Sequence, residues 1–230
     1  MKNLRFFAAF AIITACSLIT IQRNHIWKDD YSLWSDIIKK SPNKARVHNN
    51  LGNIYYDKNQ IGKAFEHYQT ALKLKPYYPN AHYNLGNAYS KMGMTNQAIE
   101  RYETALKLKP DYPGIHINLG NAYYGMGQIE KAVEYYLTAL KLQPNSPLIR
   151  YNLGNAYFSI GQIDTAIEHY KTALRLKPDY LEAYNSLGAA YIEKGMIDSA
   201  IQQFRTALQI KPDDAIVLEN LNMAVSAKGN

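Results

Sequence analysis

The chain has 230 residues, 47% hydrophobic and 12% aromatic, which is ample apolar material for a buried core. Its formal net charge of +7 raises attraction to anionic lipid, glycan or nucleic acid. Cys16 is the sole cysteine, which excludes an internal disulfide and a thiolate metal cluster.

Residues 1–26 begin with Lys2 and Arg5, followed by an uncharged, largely apolar run from Phe6 to Ile21. A membrane span takes about 17–25 residues. Leu4 and snorkelling flanks bring this run to the short end of that range. Three readings stand. The first is a membrane-spanning anchor over residues 4–21. The second is a lipoprotein signal acylated at Cys16, because Ile13-Thr14-Ala15-Cys16 resembles a bacterial lipobox. The third is a cleaved secretory signal. The apolar continuation Ser17-Leu18-Ile19-Thr20-Ile21 favours the anchor, since a lipoprotein usually turns polar after its cysteine. Lys2, Arg5 and the amino terminus outweigh Arg23 and Lys28, which keeps the amino terminus cytoplasmic and everything beyond residue 26 extracytoplasmic.

Residues 27–44 read as a degenerate leading half-repeat. Pro42 lies one period before Pro76, and Trp34, Ile37 and Ile38 take apolar places of a helix over 30–41.

From 45 to 214 the sequence repeats every 34 residues, as 45–78, 79–112, 113–146, 147–180 and 181–214. With Leu51 at position 7, position 8 is Gly in every repeat and positions 20 and 27 are Ala. Position 11 is Tyr throughout, and position 24 is Tyr68, Tyr102, Tyr136, Tyr170 and Phe204. Large rings can fill the gaps beside small residues; Gly120 is expected at a close crossing opposite Ala132. Apolar residues such as Leu85, Ala88 and Tyr89 fall at helical spacing. Asn59, Gly93, Gly127, Gly161 and Gly195 at position 15 suit the left-handed turn that ends a first helix, A. Asn96, Asp164 and Asp198 at position 18 then predict the start of a second helix, B. Proline at position 32 stops it: Pro76, Pro110, Pro144, Pro178 and Pro212.

Residues 215–230 carry Leu218, Leu221 and Val225 at helical spacing, with Asn222 in place of the position-8 Gly. They predict a capping helix that hides the last apolar face.

The pattern Gly-Tyr-Ala-aromatic-Ala-Pro at positions 8, 11, 20, 24, 27 and 32 resembles the tetratricopeptide repeat. The resemblance implies an all-α, right-handed superhelical solenoid with helix A lining a concave face. A second resemblance rests on Arg23-Asn24-His25-Ile26-Trp27-Lys28-Asp29-Asp30, Leu33-Trp34 and Ser41-Pro42. This stretch is similar to the junction between the last membrane helix and the repeats in transmembrane tetratricopeptide O-mannosyltransferases. Their catalytic multi-helix domain has no counterpart here, so the junction implies geometry and not activity.

The positive charge has a structural account. Lys73, Lys75, Lys107, Lys109, Lys141, Arg175, Lys177 and Lys211 sit at positions 29 or 31, where cations offset the dipole of helix B. No nucleic-acid motif accompanies them, and no nucleic-acid partner is expected. His48, His82 and His116 recur at position 4. Equivalent residues on packed helices are at least about 8–10 Å apart, too far to share zinc, whose nitrogens lie about 2 Å away. They read as packed residues with polar tips. The sequence has no G-x-S-x-G, no phosphate-binding glycine loop and no H-E-x-x-H. The expectation is a binding protein, not an enzyme, without cofactor or metal.

In repeats of this family positions 2, 5, 6, 9, 12 and 13 commonly reach a ligand. Position 6 reads Asn50, Asn84, Asn118 and Asn152, and position 9 reads Asn53, Asn87, Asn121 and Asn155. These are i, i+3 neighbours on one helix face, giving a double row of amides. An amide donates and accepts, so it can pair with any peptide backbone, or it can be satisfied internally. The row resembles the asparagine ladder of O-linked N-acetylglucosamine transferase, which holds extended polypeptide. Tyr83, Ile117 and Tyr151 at position 5, and Tyr56, Tyr124 and Phe158 at position 12, supply interface anchors. Positions 5 and 6 carry no Lys or Arg, and Arg46 stands alone at position 2, which disfavours a clamp for acidic tails. Two functions follow: a membrane-anchored scaffold binding an extended peptide or protein segment, or a non-catalytic accessory subunit or truncated relative of a membrane glycosyltransferase.

Overall fold

The structure is a computed structural model that describes residues 13, 14, 16, 17, 20 and 29–229. The five described residues of the apolar run are helical, and Thr20 Oγ1 donates to the Cys16 carbonyl at 2.8 Å. The rest of the run, and with it the anchor expected over 4–21, lies outside the described residues. Among the described residues no helix is long and apolar enough to cross a membrane.

Twelve α-helices and no strand occur among the described residues, in two compact units divided after Leu108. The first unit holds α1 (Asp30–Lys40), α2 (Ala45–Asp57), α3 (Ile61–Leu74), α4 (Pro79–Lys91) and α5 (Thr95–Leu108). The second holds α6 (Pro113–Gly125), α7 (Ile129–Leu142), α8 (Pro147–Ser159), α9 (Ile163–Leu176), α10 (Leu181–Glu193), α11 (Ile197–Ile210) and α12 (Ala215–Gly229). Within each unit a helix packs on the next in sequence, and each A helix also touches the following A helix.

Local chemistry sets the boundaries. Pro79, Pro113 and Pro147 open three A helices, where a fixed φ helps and the missing N–H costs nothing. The turn from A to B passes through positive φ, 75° at Gly93 and 56° at Asn59. Position 18 does not cap helix B. The caps are Gln60, Gln128, Gln162 and Met196 at position 16, without side-chain capping bonds. Asp164 and Asp198 lie inside the first turn instead, and they form ion pairs with Lys194 and Lys228. Helix B ends at position 30, so the position-31 lysines are C-caps: Lys75, Lys177 and Lys211. Lys75 and Lys177 lie over the rings of Tyr78 and Tyr180, at 5.2 and 4.6 Å.

The core is built from small residues and rings. Ala64, Ala71, Ala132 and Ala139 are fully buried, and Tyr68 and Tyr136 are 2% exposed. The nearest neighbour of Gly120 is the Tyr136 ring. A Cβ there would come within 2.4 Å of Tyr136 Cε1, and Gly52, Gly86, Gly154 and Gly188 meet the position-24 ring of their own repeats in the same way. The ring occupies the volume that the glycine vacates.

Helix α12 departs from its expectation. Its buried residues are Val217 and Ala224, whereas Leu218 and Val225 are 39% and 48% exposed. In the first and third repeats these two places, positions 4 and 11, pack against the position-23 ring of helix B, His67 on His48 and Tyr55, and Tyr135 on His116 and Tyr123. Helix α12 packs on α10 and α11, and among the described residues no helix follows it to cover Leu218 and Val225.

Candidate functional site

The asparagine rows are wired into the fold. Tyr68 Oη donates to Asn53 Oδ1 at 3.0 Å, Tyr102 Oη to Asn87 Oδ1 at 2.9 Å, and Tyr170 Oη to Asn155 Oδ1 at 2.8 Å. Position 6 then reaches back one repeat. Asn84 Nδ2 donates to Asn53 Oδ1 at 2.8 Å and to Asn49 Oδ1 at 3.0 Å, and Asn152 Nδ2 donates to Asn121 Oδ1 at 3.1 Å. A carbonyl oxygen has two lone pairs. Those of Asn53 and Asn121 are therefore filled from within the protein. What these side chains present outward is the Nδ2 donor.

Burial pushes the Tyr68, Tyr136 and Tyr170 hydroxyls up from the ordinary phenol value, so each stays protonated as a donor.

The expected site residues fall in two groups. Asn50, Asn53, Tyr56, Tyr83, Asn84 and Asn87 belong to the first unit, and Ile117, Asn118, Asn121, Tyr124, Tyr151, Asn152, Asn155 and Phe158 to the second. Asn121 is exposed and the others are half-buried. The aromatics are not free-standing. Tyr83 leans on Tyr102 at a centroid distance of 6.0 Å, and Tyr151 lies between Tyr170 at 6.1 Å and Tyr180 at 5.1 Å. Burial, with Tyr151 and Glu182 nearby, pushes the Tyr180 hydroxyl up to about 12. Ser159 Oγ donates to the Asn155 carbonyl at 2.9 Å, so Tyr124 Oη donates to Ser159 Oγ, also at 2.9 Å. Tyr124, Asn155 and Phe158 line a small hollow with Tyr170, Ser186 and Ala189.

The position-4 histidines are joints between repeats. His48 Nε2 lies 2.9 Å from the Pro42 carbonyl, His82 Nε2 2.8 Å from Pro76, and His116 Nε2 3.0 Å from Pro110. A carbonyl only accepts, so each Nε2 carries the proton. His48 Nδ1 is then an acceptor and takes the proton of His67 Nδ1 at 3.1 Å. Among the described residues no group of three or more His, Cys, Asp or Glu side chains is placed to hold a metal. Position 23 escaped the sequence reading because it varies: His67, Arg101, Tyr135, His169 and Gln203. Three of its rings stack on the position-11 tyrosine, with His67 on Tyr55, Tyr135 on Tyr123 and His169 on Tyr157 at 5.3–5.5 Å. A flat partner opposite an invariant Tyr was the available signal.

Residues 52–93, 94–127, 121–161 and 154–195 match the TPR repeat family, and residues 181–214 match the tetratricopeptide repeat. Protein O-mannosyl-transferase tmtc2 of Xenopus laevis is 38% identical over 72 residues, which are 31% of this chain and 8% of that protein. The crystal structure of MamA is 30% identical with a TM-score of 0.65, covering 70% of this chain and 95% of that one. YrrB, described as a TPR protein with an unusual peptide-binding site, is 24% identical with a TM-score of 0.66, covering 81% and 96%. That last likeness is one of fold.

Proposed function

Since the chain belongs to the tetratricopeptide repeat family, we propose that it is a scaffold that binds an extended peptide or protein segment on its A helices. One observation carries the reading. The Oδ1 atoms of Asn53 in the first unit and Asn121 in the second are filled internally, so each unit offers an Nδ2 donor on an A helix. Peptide carbonyls of any sequence match such donors. The half-buried aromatics at positions 5 and 12 add apolar contact without needing to be ordered on binding. The proposal includes no catalytic role. It includes a membrane location, in which residues 4–21 anchor the chain and the repeats face the extracytoplasmic side.

A second reading, an accessory to a membrane glycosyltransferase, draws on the likeness to tmtc2 over 72 residues. Loss of glycosyl transfer in membranes lacking this chain would favour it.

The test is site-specific photo-crosslinking in native membranes, with a benzophenone amino acid at position 121 or at position 141. Lys141 is exposed in the last turn of α7. Crosslinks from 121 and none from 141 are expected. The reverse result moves the function to the outer surface.

A further inference from the structure

The fifth repeat breaks the asparagine pattern in a coordinated way. Position 9 is Ala189 where four repeats have Asn, and position 24 is Phe204 where four have Tyr. Phe204 has no hydroxyl and needs no acceptor. The missing amide leaves space: a mainly apolar hollow of about 270 Å³ lies between α10, α11 and α12, lined by Ala189, Ile192, Phe204, Met223 and Ala224, with Glu193 and one amide, Asn220, whose Nδ2 donates to Asn185 Oδ1 at 2.8 Å. It is smaller than the roughly 300–1,000 Å³ of drug-sized ligand clefts. Its size suits one amino-acid side chain. Ala189 also lines the neighbouring small hollow beside Asn155 and Phe158, so the two adjoin.

Charge narrows the occupant. The lysines closest in sequence and packing are already engaged, Lys194 with Asp164 and Lys228 with Asp198. Glu193 is exposed and forms no ion pair among the described residues. Its carboxylate is therefore uncompensated at the edge of an apolar hollow.

We infer that the hollow between α10, α11 and α12 binds one large apolar side chain of an extended peptide, with a neighbouring Lys or Arg of that peptide paired to Glu193. The inference rests on the groove reading above and adds its specificity. Amides hold the peptide backbone, and this hollow selects a side chain where the position-9 amides stop. Met223, 57% exposed at the rim, is a soft and adaptable wall for chains of differing shape.

The experiment is panning of phage-displayed random dodecapeptides against the full-length chain in detergent micelles. Enriched sequences should share Leu, Ile, Met or Phe within two residues of Lys or Arg. A synthetic peptide of that sequence should lose at least tenfold in affinity for Ala189→Trp, which fills the hollow. It should also weaken severalfold for Met223→Glu, a rim change that leaves the buried contacts alone. Glu193→Gln should erase the preference for the cation while keeping the apolar one. Binding that is insensitive to all three but weakened by Asn121→Asp overturns the hollow and leaves the groove standing. Insensitivity to all four overturns both. Failure to enrich any peptide also overturns the hollow. Concentration-dependent self-association abolished by Ala189→Trp assigns the hollow to a second copy of the chain and overturns the peptide.

Discussion

Tyr136 Oη on α7 donates to Asn121 Oδ1 on α6 at 2.7 Å, joining the buried side of a B helix to the outward side of its A helix. The same bond recurs in the four repeats that have both residues and is absent from the one that has Phe204 and Ala189. The hydroxyl and the amide come and go together, as expected if each is costly without the other.

Tyr136→Phe should therefore cost about 0.5–1.5 kcal/mol, the net worth of one hydrogen bond. The converse change, Phe204→Tyr, should also destabilise, because its hydroxyl would be aimed at Ala189 with no amide to accept it. Urea titration of both variants checks this. A stabilised Phe204→Tyr would show that the pairing is incidental.

Asn121→Ala is expected to destabilise the second unit by about 1–3 kcal/mol, since it orphans a buried hydroxyl. From sequence the amide could serve a ligand or be satisfied internally, and the structure fills its Oδ1 from within. Asn121→Asp keeps the acceptor for Tyr136 and Asn152 while deleting the outward N–H donor. It should bind peptide more weakly than wild type while melting closer to wild type than Asn121→Ala does. Equal melting of the two variants would show that the acceptor is not what matters.

Gly120→Ala tests the close packing on Tyr136. Alanine gains up to about 1 kcal/mol in helix propensity over glycine, yet its Cβ would fall 2.4 Å from the ring. Overpacking costs about 1–3 kcal/mol, so net destabilisation is expected. Gly125→Ala is the control, because nothing lies within 4 Å of its Cβ and it should be neutral or stabilising. Thermal melts that rank the two the other way would refute the packing account.

Three histidines set a pH dependence. Burial holds His67, His82 and His169 below the usual imidazole value, assisted by His48, Arg101 and Arg150 respectively. A histidine whose folded value is depressed binds more protons when unfolded. Stability then rises with pH through this range. It should be full above about pH 6.5, the unfolded value, and fall as pH drops toward the folded values. Melting temperatures between pH 7.5 and 5.5 read this directly, above the range where carboxylates protonate. His82→Gln and His169→Gln together should flatten the slope, and an unchanged slope would place its origin elsewhere.

The sequence revealed what repeats and concealed what the repeats exchange. The period and the small residues at 8, 20 and 27 were legible because they are invariant, and the turn at position 15 because it takes only Gly or Asn. That the Tyr136 ring is the nearest neighbour of Gly120 was not legible, because volume complementarity across two helices leaves no mark on spacing along one. The asparagine rows were found, but which of their atoms face outward depends on a tyrosine 15 residues away. Position 23 was overlooked because His, Arg, Tyr and Gln share only a flat side chain.

The His–Pro joints have one more consequence. Each links a residue to a carbonyl six places earlier, across the boundary between one repeat and the next. Excising residues 45–78 would join Lys44 to Pro79 and place His82 six residues after Pro42. The joint would re-form in register, with His82 in the place of His48. The array is thus modular at the level of single hydrogen bonds, and unequal recombination can change its length by whole repeats without having to evolve a new junction.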